Sequence, residues 1–533
     1  MSLRLGPLLR HVDETSATVW VETGTAGEVE VLGTTARTFE IKGHHYALLV
    51  LTGLEPGSCV EYEVRVDGEK VWPPADSEFP PSRIRTLPEE ESRVRLVFGS
   101  CRKPHDGDTY GPDALAAYAR RMAAGEETEW PQALLMLGDQ VYADETTDET
   151  QEWLKRRRDT SRPPGTEVMD FEEYTHLYFE AWGEPAIRWL LSTVPTSMIF
   201  DDHDVRDDWN TSLAWQRRMR AQPWWRERLR GAIMSYWVYQ HLGNLGPAEL
   251  AEDATFQQAI GSGGDNADLL SAFADEADNE RDGTKGARWS YRRDFGGVRL
   301  LVIDSRAGRI LAGGARSMVD DDEFDWIEEN AAAPCDHLLI GSSLPWLLPP
   351  VISHLQSLNE RACERPGWRG RLAEKIRQAA DLEHWAAFRA SFERLSAMIA
   401  REGRRDDPPA TIAVLSGDVH HAYIAEAHYP EPVTSTVFQL TCSPVHNAMP
   451  RFLRWAFAGT WSAALASLAR RWADRGGVAP DPLTWTKVSG PHFGNVIATV
   501  EAEGRGRACV TTIEQATGDG LVEVARQRLT RAE

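Results

Sequence analysis

Three short segments carry the side chains best suited to chemistry: GDQVYAD (138–144), DDHD (201–204) and SGDVHH (416–421). Each follows directly on an apolar run, ALLML, TSMIF and TIAVL respectively. Asp139 and Tyr142 stand three apart, close enough in a turn to meet the same ion pair. Asp202 adds a carboxylate beside His203, while Asp418 and His420, alternate residues of an extended segment, project to one side. Carboxylates with one phenol and one imidazole make a ligand set for hard or borderline cations rather than a thiolate zinc site. The clustering itself calls for cations, because unpaired like charges at the end of a buried strand are prohibitive in low dielectric.

Taken singly, each segment has an ordinary reading as a Gly-Asp turn, a solvated acidic loop or a pair of satisfied histidines. Their joint occurrence, each closing an apolar run, favours a shared site. Other chemistries are excluded. A cysteine phosphatase needs Cys-x5-Arg, but Gly107 stands six positions after Cys101. G-x-S-x-G, P-loop and H-E-x-x-H patterns are absent. An EF-hand fails because Arg206 takes a ligand position and no central glycine follows.

The elements that must position these residues are legible in the hydrophobic pattern. From residue 1 to 88 the period is two, in SATVWVET, GEVEVLG, YALLVL and CVEYEVRV, with turns at Pro56-Gly57 and Asp67-Gly68. In CVEYEVRV, Val60, Tyr62, Val64 and Val66 share a face. This predicts a small antiparallel β-sandwich over 1–88, joined through a proline-rich, charged stretch to a larger domain over 89–533. There, compact apolar runs such as RLVFGSC, VRLLVIDSR and HLLIGSS alternate with helical segments, which predicts α/β layers with the site beyond the strands' carboxyl ends.

Two stretches read as helical insertions, near 211–290 and 451–480. The first is tryptophan-rich, then Gly/Asp/Ala-rich and acidic, a composition expected to be mobile. The second contains a predicted helix over 451–473 rich in arginine, tryptophan and alanine. It reads as a lid, as core packing with solvated arginines, or as an interfacial membrane helix, the last weakened by the acidic whole.

With 81 acidic against 58 basic residues the formal charge is -23, which disfavours nucleic acid or an anionic membrane as a non-specific partner. Six scattered cysteines form neither a C-x-x-C nor a disulfide framework. The first residues turn polar too early for a secretory signal and lack a twin-arginine pair, and no apolar segment is long enough to span a bilayer. A cytoplasmic location is expected; oligomeric state is not readable.

The ordered set GSC, GDxxYAD, DDHD and SGDVHH resembles the alkaline phosphatase D (PhoD-like) metallophosphatase family of the calcineurin-like metallophosphoesterase superfamily. That resemblance implies a four-layer αββα metallophosphoesterase catalytic domain preceded by an immunoglobulin- or fibronectin III-like β-sandwich. It also implies two or more divalent or trivalent metal ions, Fe3+ with Ca2+ or other metals, acting on a small phosphate-ester substrate. Carried over position by position, Asp139 bridges two metals, Tyr142 and His420 ligate the ferric-type ion, and Asp202 and Asp418 serve the second. Cys101, where the wider superfamily has D-x-H, looks like a further ligand. The chain departs from the general superfamily by Asp-Asp-His for Gly-Asn-His and Gly-Asp-x-His for Gly-His-x-His; a mid-chain metal-binding histidine has no clear counterpart.

The expected reaction is hydrolysis of phosphate monoesters, diesters or both, by a metal-bridged hydroxide attacking phosphorus. His203 is the candidate to protonate the leaving group or hydrogen-bond the phosphoryl group, with a purely structural role as its rival. Arg306, oriented by Asp304, is the first candidate to fork onto phosphoryl oxygens, and Arg102 the second. The alternative is a non-catalytic, metal-stabilised binding or scaffold protein.

Overall fold

A computed structural model of the chain describes residues 3–89, 93–104, 110–312, 316–449, 454, 457–504 and 508–531. In the N-terminal region, strands Leu3–Val12, Ser16–Thr23, His44–Thr52 and Phe39–Ile41 make one antiparallel sheet. Thr34–Arg37, Glu28–Val31, Val64–Val66 and Glu69–Trp72 make another. Alternate residues decide the faces. Val19, Val21, Leu49 and Leu51 meet Val29, Val31, Val64 and Val66 in one apolar cluster, whereas Trp20, Tyr46 and Leu48 join the main core on the other side. Val60 leaves the face expected for it: the chain breaks after Glu61, and Cys59–Glu61 pairs instead with Arg83–Arg85.

Arg10 bolts this region to the rest. Its fully buried guanidinium donates to the carbonyls of Thr196 (2.9 Å), Tyr239 (2.6 Å) and Gln240 (2.7 Å). Gly243 admits the approach, since a Cβ there would fall 2.2 Å from the Arg10 guanidinium carbon.

Two larger mixed sheets follow. The six-stranded sheet runs Thr196–Ile199, Ala133–Leu137, Val94–Gly99, Val496–Ala502, Cys509–Thr517 and Gly520–Arg528, the first three strands parallel. The seven-stranded sheet runs Tyr291–Phe295, Val298–Ile303, His337–Ser342, Thr411–Ser416, Thr436–Thr441, Ala422–His428 and Thr484–His492, with a parallel centre. Continuous apolar runs are explained by burial on both faces. Leu300, Val302, Leu339 and Leu415 pack toward Leu135 and Leu137 of the first sheet; Leu301, Ile303, Leu338 and Val414 pack outward against Phe324, Ile327, Phe392 and Leu395 of helices Asp321–Ala331 and Arg389–Glu402. Helices Ala114–Ala124, Phe171–Trp182 and Pro185–Thr193 pack into the main core that the first sheet shares.

The two expected insertions differ from the sequence reading. Helix Trp225–Ser235 and the π-helical turn Tyr236–His241 belong to the core, with Tyr236, Trp237 and Tyr239 fully buried. Truncating such a tryptophan to alanine costs about 3–5 kcal/mol. The acidic stretch beyond contains an ordered helix, Ala267–Asp278, because Leu270, Ala274 and Ala277 recur at helical spacing and bury one face. The expected single helix 451–473 is instead broken at Thr460–Trp461, and the ordered helix is Ala463–Gly476; residues 451–453 and 455–456 lie outside the described residues.

Candidate metal centre

Parallel register brings the chemical segments to one edge. Gly99 pairs with Met136 and Leu137 with Ile199, so Cys101, Asp139 and Asp201 leave the first sheet at similar heights. Ser342 pairs with Ser416, which delivers Asp418 and His420 from the second sheet. The edges touch at Gly417, where a Cβ would lie 2.0 Å from Ser100 Oγ. Gly138 likewise turns at φ +100°, with its missing Cβ facing Asp201 Cβ at 2.6 Å.

The backbone is strained where ligands are needed. Cys101, Asp139, Asp418 and His420 all adopt left-handed φ values, between 50° and 65°. Such conformations cost of order 1 kcal/mol each and persist only when the surroundings enforce them. Here Asp204 enforces part of the turn: its Oδ1 accepts from Gln140 N and Val141 N (both 3.1 Å) and its Oδ2 from Asp201 N (2.8 Å). The last aspartate of DDHD thus holds the Asp139 loop in place.

Candidate ligand atoms of Cys101, Asp139 and His420 lie within 4.8 Å of one another, as do those of Asp139, Asp201 and Asp202. Asp139 is common to both sets. Tyr142 Oη stands 3.5 Å from Asp139 Oδ2 and accepts from Asn447 Nδ2 at 3.2 Å. Asp418 faces the same pocket, but its carboxylate is engaged by His384 Nε2 (2.9 Å) and approached by Arg306 Nη2 (3.6 Å).

The fit to cations is testable on these atoms. Asp139 Oδ1 and Asp201 Oδ2 are buried with no hydrogen-bond donor among the described residues, which is costly for carboxylates unless something positive meets them. Burial, reinforced by neighbouring carboxylates, pushes Asp139 and Asp201 well above the usual carboxylate range. Burial also raises the Cys101 thiol and the Tyr142 phenol, while it lowers His420 to about 4, leaving the neutral imidazole that binds metals. The thiol, phenol and imidazole set suits a borderline or ferric-type ion, and the aspartate set a hard cation.

A pocket of about 460 Å³ opens over this edge, walled by Asp139, Asp202, His203, Asp418, His420 and His421 on one side and by Leu348, Ile352, Leu355, Met449 and Phe457 on the other. His203 Nδ1 sits 2.9 Å from Asp144 Oδ1. Burial alone would lower this histidine, but Asp144, with Asp139 and Asp202, outweighs it and keeps the imidazolium favoured.

Neither candidate arginine meets this pocket. Arg306 is fully buried beneath the carboxylates, paired with Asp201, Asp202 (3.2 Å) and Glu383 (2.5 Å). Arg102 turns to Asp113 (2.7 Å), Glu184 (3.0 Å) and the Ala181 carbonyl (2.5 Å). Among the described residues, no lysine or arginine lines the pocket, whereas His203, with its imidazolium favoured, does. Asp304 does not orient the Arg306 guanidinium; it accepts the backbone N–H groups of 306, 307 and 308.

Sequence reasoning missed Asp201 as a cluster member, Glu383 as an Arg306 partner, and His384. With its Nδ1 accepting from Gln356 Nε2 at 2.9 Å, His384 presents Nε2–H to Asp418. It arrives from a loop after helix Trp368–Ala379, where only the short cluster Asp381-Leu382-Glu383-His384 signals it.

Two mixed sheets thus meet at an edge that bears carboxylates and histidines. Residues 97–256 match the PhoD-like phosphatase family. That match supports hydrolysis of phosphoric esters, and the clustered carboxylates, thiol and imidazole are groups that could hold a metal ion. Residues 1–84 match a domain of unknown function, DUF7800. Among solved structures, "Structure of PhoD" is similar with a TM-score of 0.57 at 12% identity, covering 98% of this chain and 92% of that one. Purple acid phosphatase PPD1 from yellow lupin (Lupinus luteus) seeds gives 0.52 at 11% identity, covering 98% and 74%. At these identities the likeness is one of fold. No curated protein sequence matches the chain.

Proposed function

We propose that the chain hydrolyses phosphate monoesters or diesters at a two-cation centre bridged by Asp139, whose membership of both ligand clusters is the observation that carries the reading. Cys101, Tyr142 and His420 complete a site suited to ferric iron, and Asp202 with Asp418 a site suited to calcium or another hard cation. Asp201 acts beside Asp202. The domains follow suit: an N-terminal β-sandwich over 1–88, and over 89–533 a four-layer αββα arrangement built from the two sheets and their helices.

When bound, the cations would polarise a water molecule and neutralise the phosphoryl oxygens. The remaining work falls to this chain's residues. His203, held as an imidazolium by Asp144, donates its proton from Nε2 to the leaving oxygen. Arg306 binds no substrate; it pairs with Asp201, Asp202 and Asp418 and so fixes their spacing. His384 fixes the rotamer of Asp418. The apolar wall of Ile352, Leu355 and Phe457 receives the organic part of the ester.

Thorough chelation should abolish hydrolysis of an aryl phosphate and a bis-aryl phosphate, and metal return should restore it. Full activity after chelation rejects the reading. An intact fold with bound metal but no turnover on either ester class would favour the scaffold alternative. Visible absorption from Tyr142 phenolate on ferric iron tests the iron assignment separately; a colourless, iron-free, active preparation removes iron but not the pair of sites.

A further inference from the structure

Beside the pocket mouth lies a surface layer of three helices, Pro350–Cys363, Trp368–Ala379 and Ala463–Gly476. The second docks on the first through Asn359 Nδ2, which donates to Ala373 O at 2.9 Å. The third docks through Gly476, whose α-carbon faces Leu358. Both outer helices turn small residues inward: Gly370 and Ala373 in one, Ala469 and Ala473 in the other. Their large apolar side chains point out. Trp368, Leu372 and Ile376, at i, i+4 and i+8, are 64%, 50% and 49% exposed. Leu465, Leu468 and Trp472, at i, i+3 and i+7, are 49%, 41% and 49% exposed. This inverts the usual arrangement, in which the apolar stripe faces the core. Exposed apolar stripes of this kind mark interaction surfaces.

The same faces are cationic in a chain of net charge -23. Arg369, Arg371, Lys375, Arg471 and Arg475 are exposed, and none pairs with a carboxylate among the described residues. Acidic neighbours are turned elsewhere: Glu374 to Ser212 and Arg377, Asp474 to Arg470. Alternating unpaired cations with tryptophan and leucine is complementary to an anionic headgroup layer over acyl chains. A second copy fits poorly, since a two-fold interface would stack these cations on themselves. A polyanion would satisfy the charges but leave four aliphatic side chains in water. Screening over about 8 Å separates this face from acidic surface farther away.

We propose that this three-helix face docks the protein on an anionic phospholipid bilayer, lying in the headgroup plane with the pocket mouth at its margin. Leu355 belongs to both features, 37% exposed on the first helix and part of the pocket wall. No helix of the described residues is long and apolar enough to cross a membrane, so the contact is interfacial. The phosphate esters nearest the site would then be those displayed at a lipid surface.

Vesicle flotation of the full chain tests the docking without any turnover, so its failure is separable from failure of the hydrolytic reading. Phosphatidylcholine vesicles are compared with vesicles containing phosphatidylglycerol. The proposal expects binding at least about tenfold tighter to the anionic vesicles and weakened by salt. R371E/K375E/R471E should lose that tenfold preference, and L372S/L468S should lose binding, both with unchanged melting temperature because the positions are exposed. Absent binding, equal binding to both vesicles, or binding untouched by both variants overturns it. Sedimentation showing self-association that L372S/L468S disrupts assigns the face to a second copy and equally overturns it.

Discussion

His203 Nδ1 and Asp144 Oδ1 lie 2.9 Å apart at the pocket wall, and Asp144 also accepts from Asp207 N at 2.6 Å. The histidine is thereby held charged and fixed in orientation, with its other nitrogen free of this partner. A proton donor should matter most when the leaving group is poor. His203→Gln is expected to lower kcat about 10²- to 10⁴-fold on an alkyl phosphate, and much less on a nitrophenyl ester, with metal content unchanged. Equal losses on both esters would assign His203 a structural role.

Arg306 is fully buried, with four carboxylates on its guanidinium. Removing one partner of a buried charged cluster strands the others. Arg306→Met should therefore destabilise the protein by about 3–5 kcal/mol in denaturant titration and weaken metal binding. Arg306→Lys keeps the charge but not the fork, and should lose metal affinity without a selective rise in KM. A KM effect alone, at full metal occupancy, would restore the phosphate-clamp role.

His384 orients Asp418 through a 2.9 Å hydrogen bond. His384→Ala should cost about 10- to 100-fold in affinity for one metal, the usual scale for groups that orient a ligand, and leave the other metal in place. Loss of both metals in titration calorimetry would contradict separate sites.

His44 ties the N-terminal sheet to helix Phe171–Trp182, with Nδ1 2.8 Å from Glu22 and Nε2 2.6 Å from Glu172. Arg4, Tyr46 and Tyr239 also face this cluster. Burial alone would lower His44, but the two carboxylates outweigh it and raise it to about 9. Because the folded value exceeds the unfolded 6.5, the stabilisation is complete below pH 6.5 and lost as pH rises through 9. Wild-type protein should lose about 3 kcal/mol over that window, and His44→Gln should show a flatter profile with lower stability at pH 6. Parallel profiles for the two proteins would refute the link.

Strand ends were legible because burial on both faces leaves unbroken apolar runs, and chemistry at the sheet edge interrupts them abruptly. ALLML before GDQVYAD and TIAVL before SGDVHH show this directly. The roles of individual charges were not legible. Asp204 looks like its neighbours in DDHD, yet it accepts three backbone N–H groups and serves the turn. Arg306 follows a strand as a phosphate ligand would, but its partners Glu383 and Asp201 lie 77 and 105 residues away in sequence, a separation no local pattern reports. Trp237 resembled part of an insertion because a helix buried on all sides carries no polar face to set its period. For the acidic Ala267–Asp278 segment, composition outweighed a true helical period of three apolar positions, Leu270, Ala274 and Ala277.

The central claim is that Asp139 joins two cations. Anomalous diffraction from crystals of the metal-loaded protein tests it most directly. Two peaks about 3.5–4 Å apart, flanking the Asp139 carboxylate in wild type and both lost in Asp139→Asn, are the predicted result. A single peak, or peaks that survive in Asp139→Asn, would contradict it.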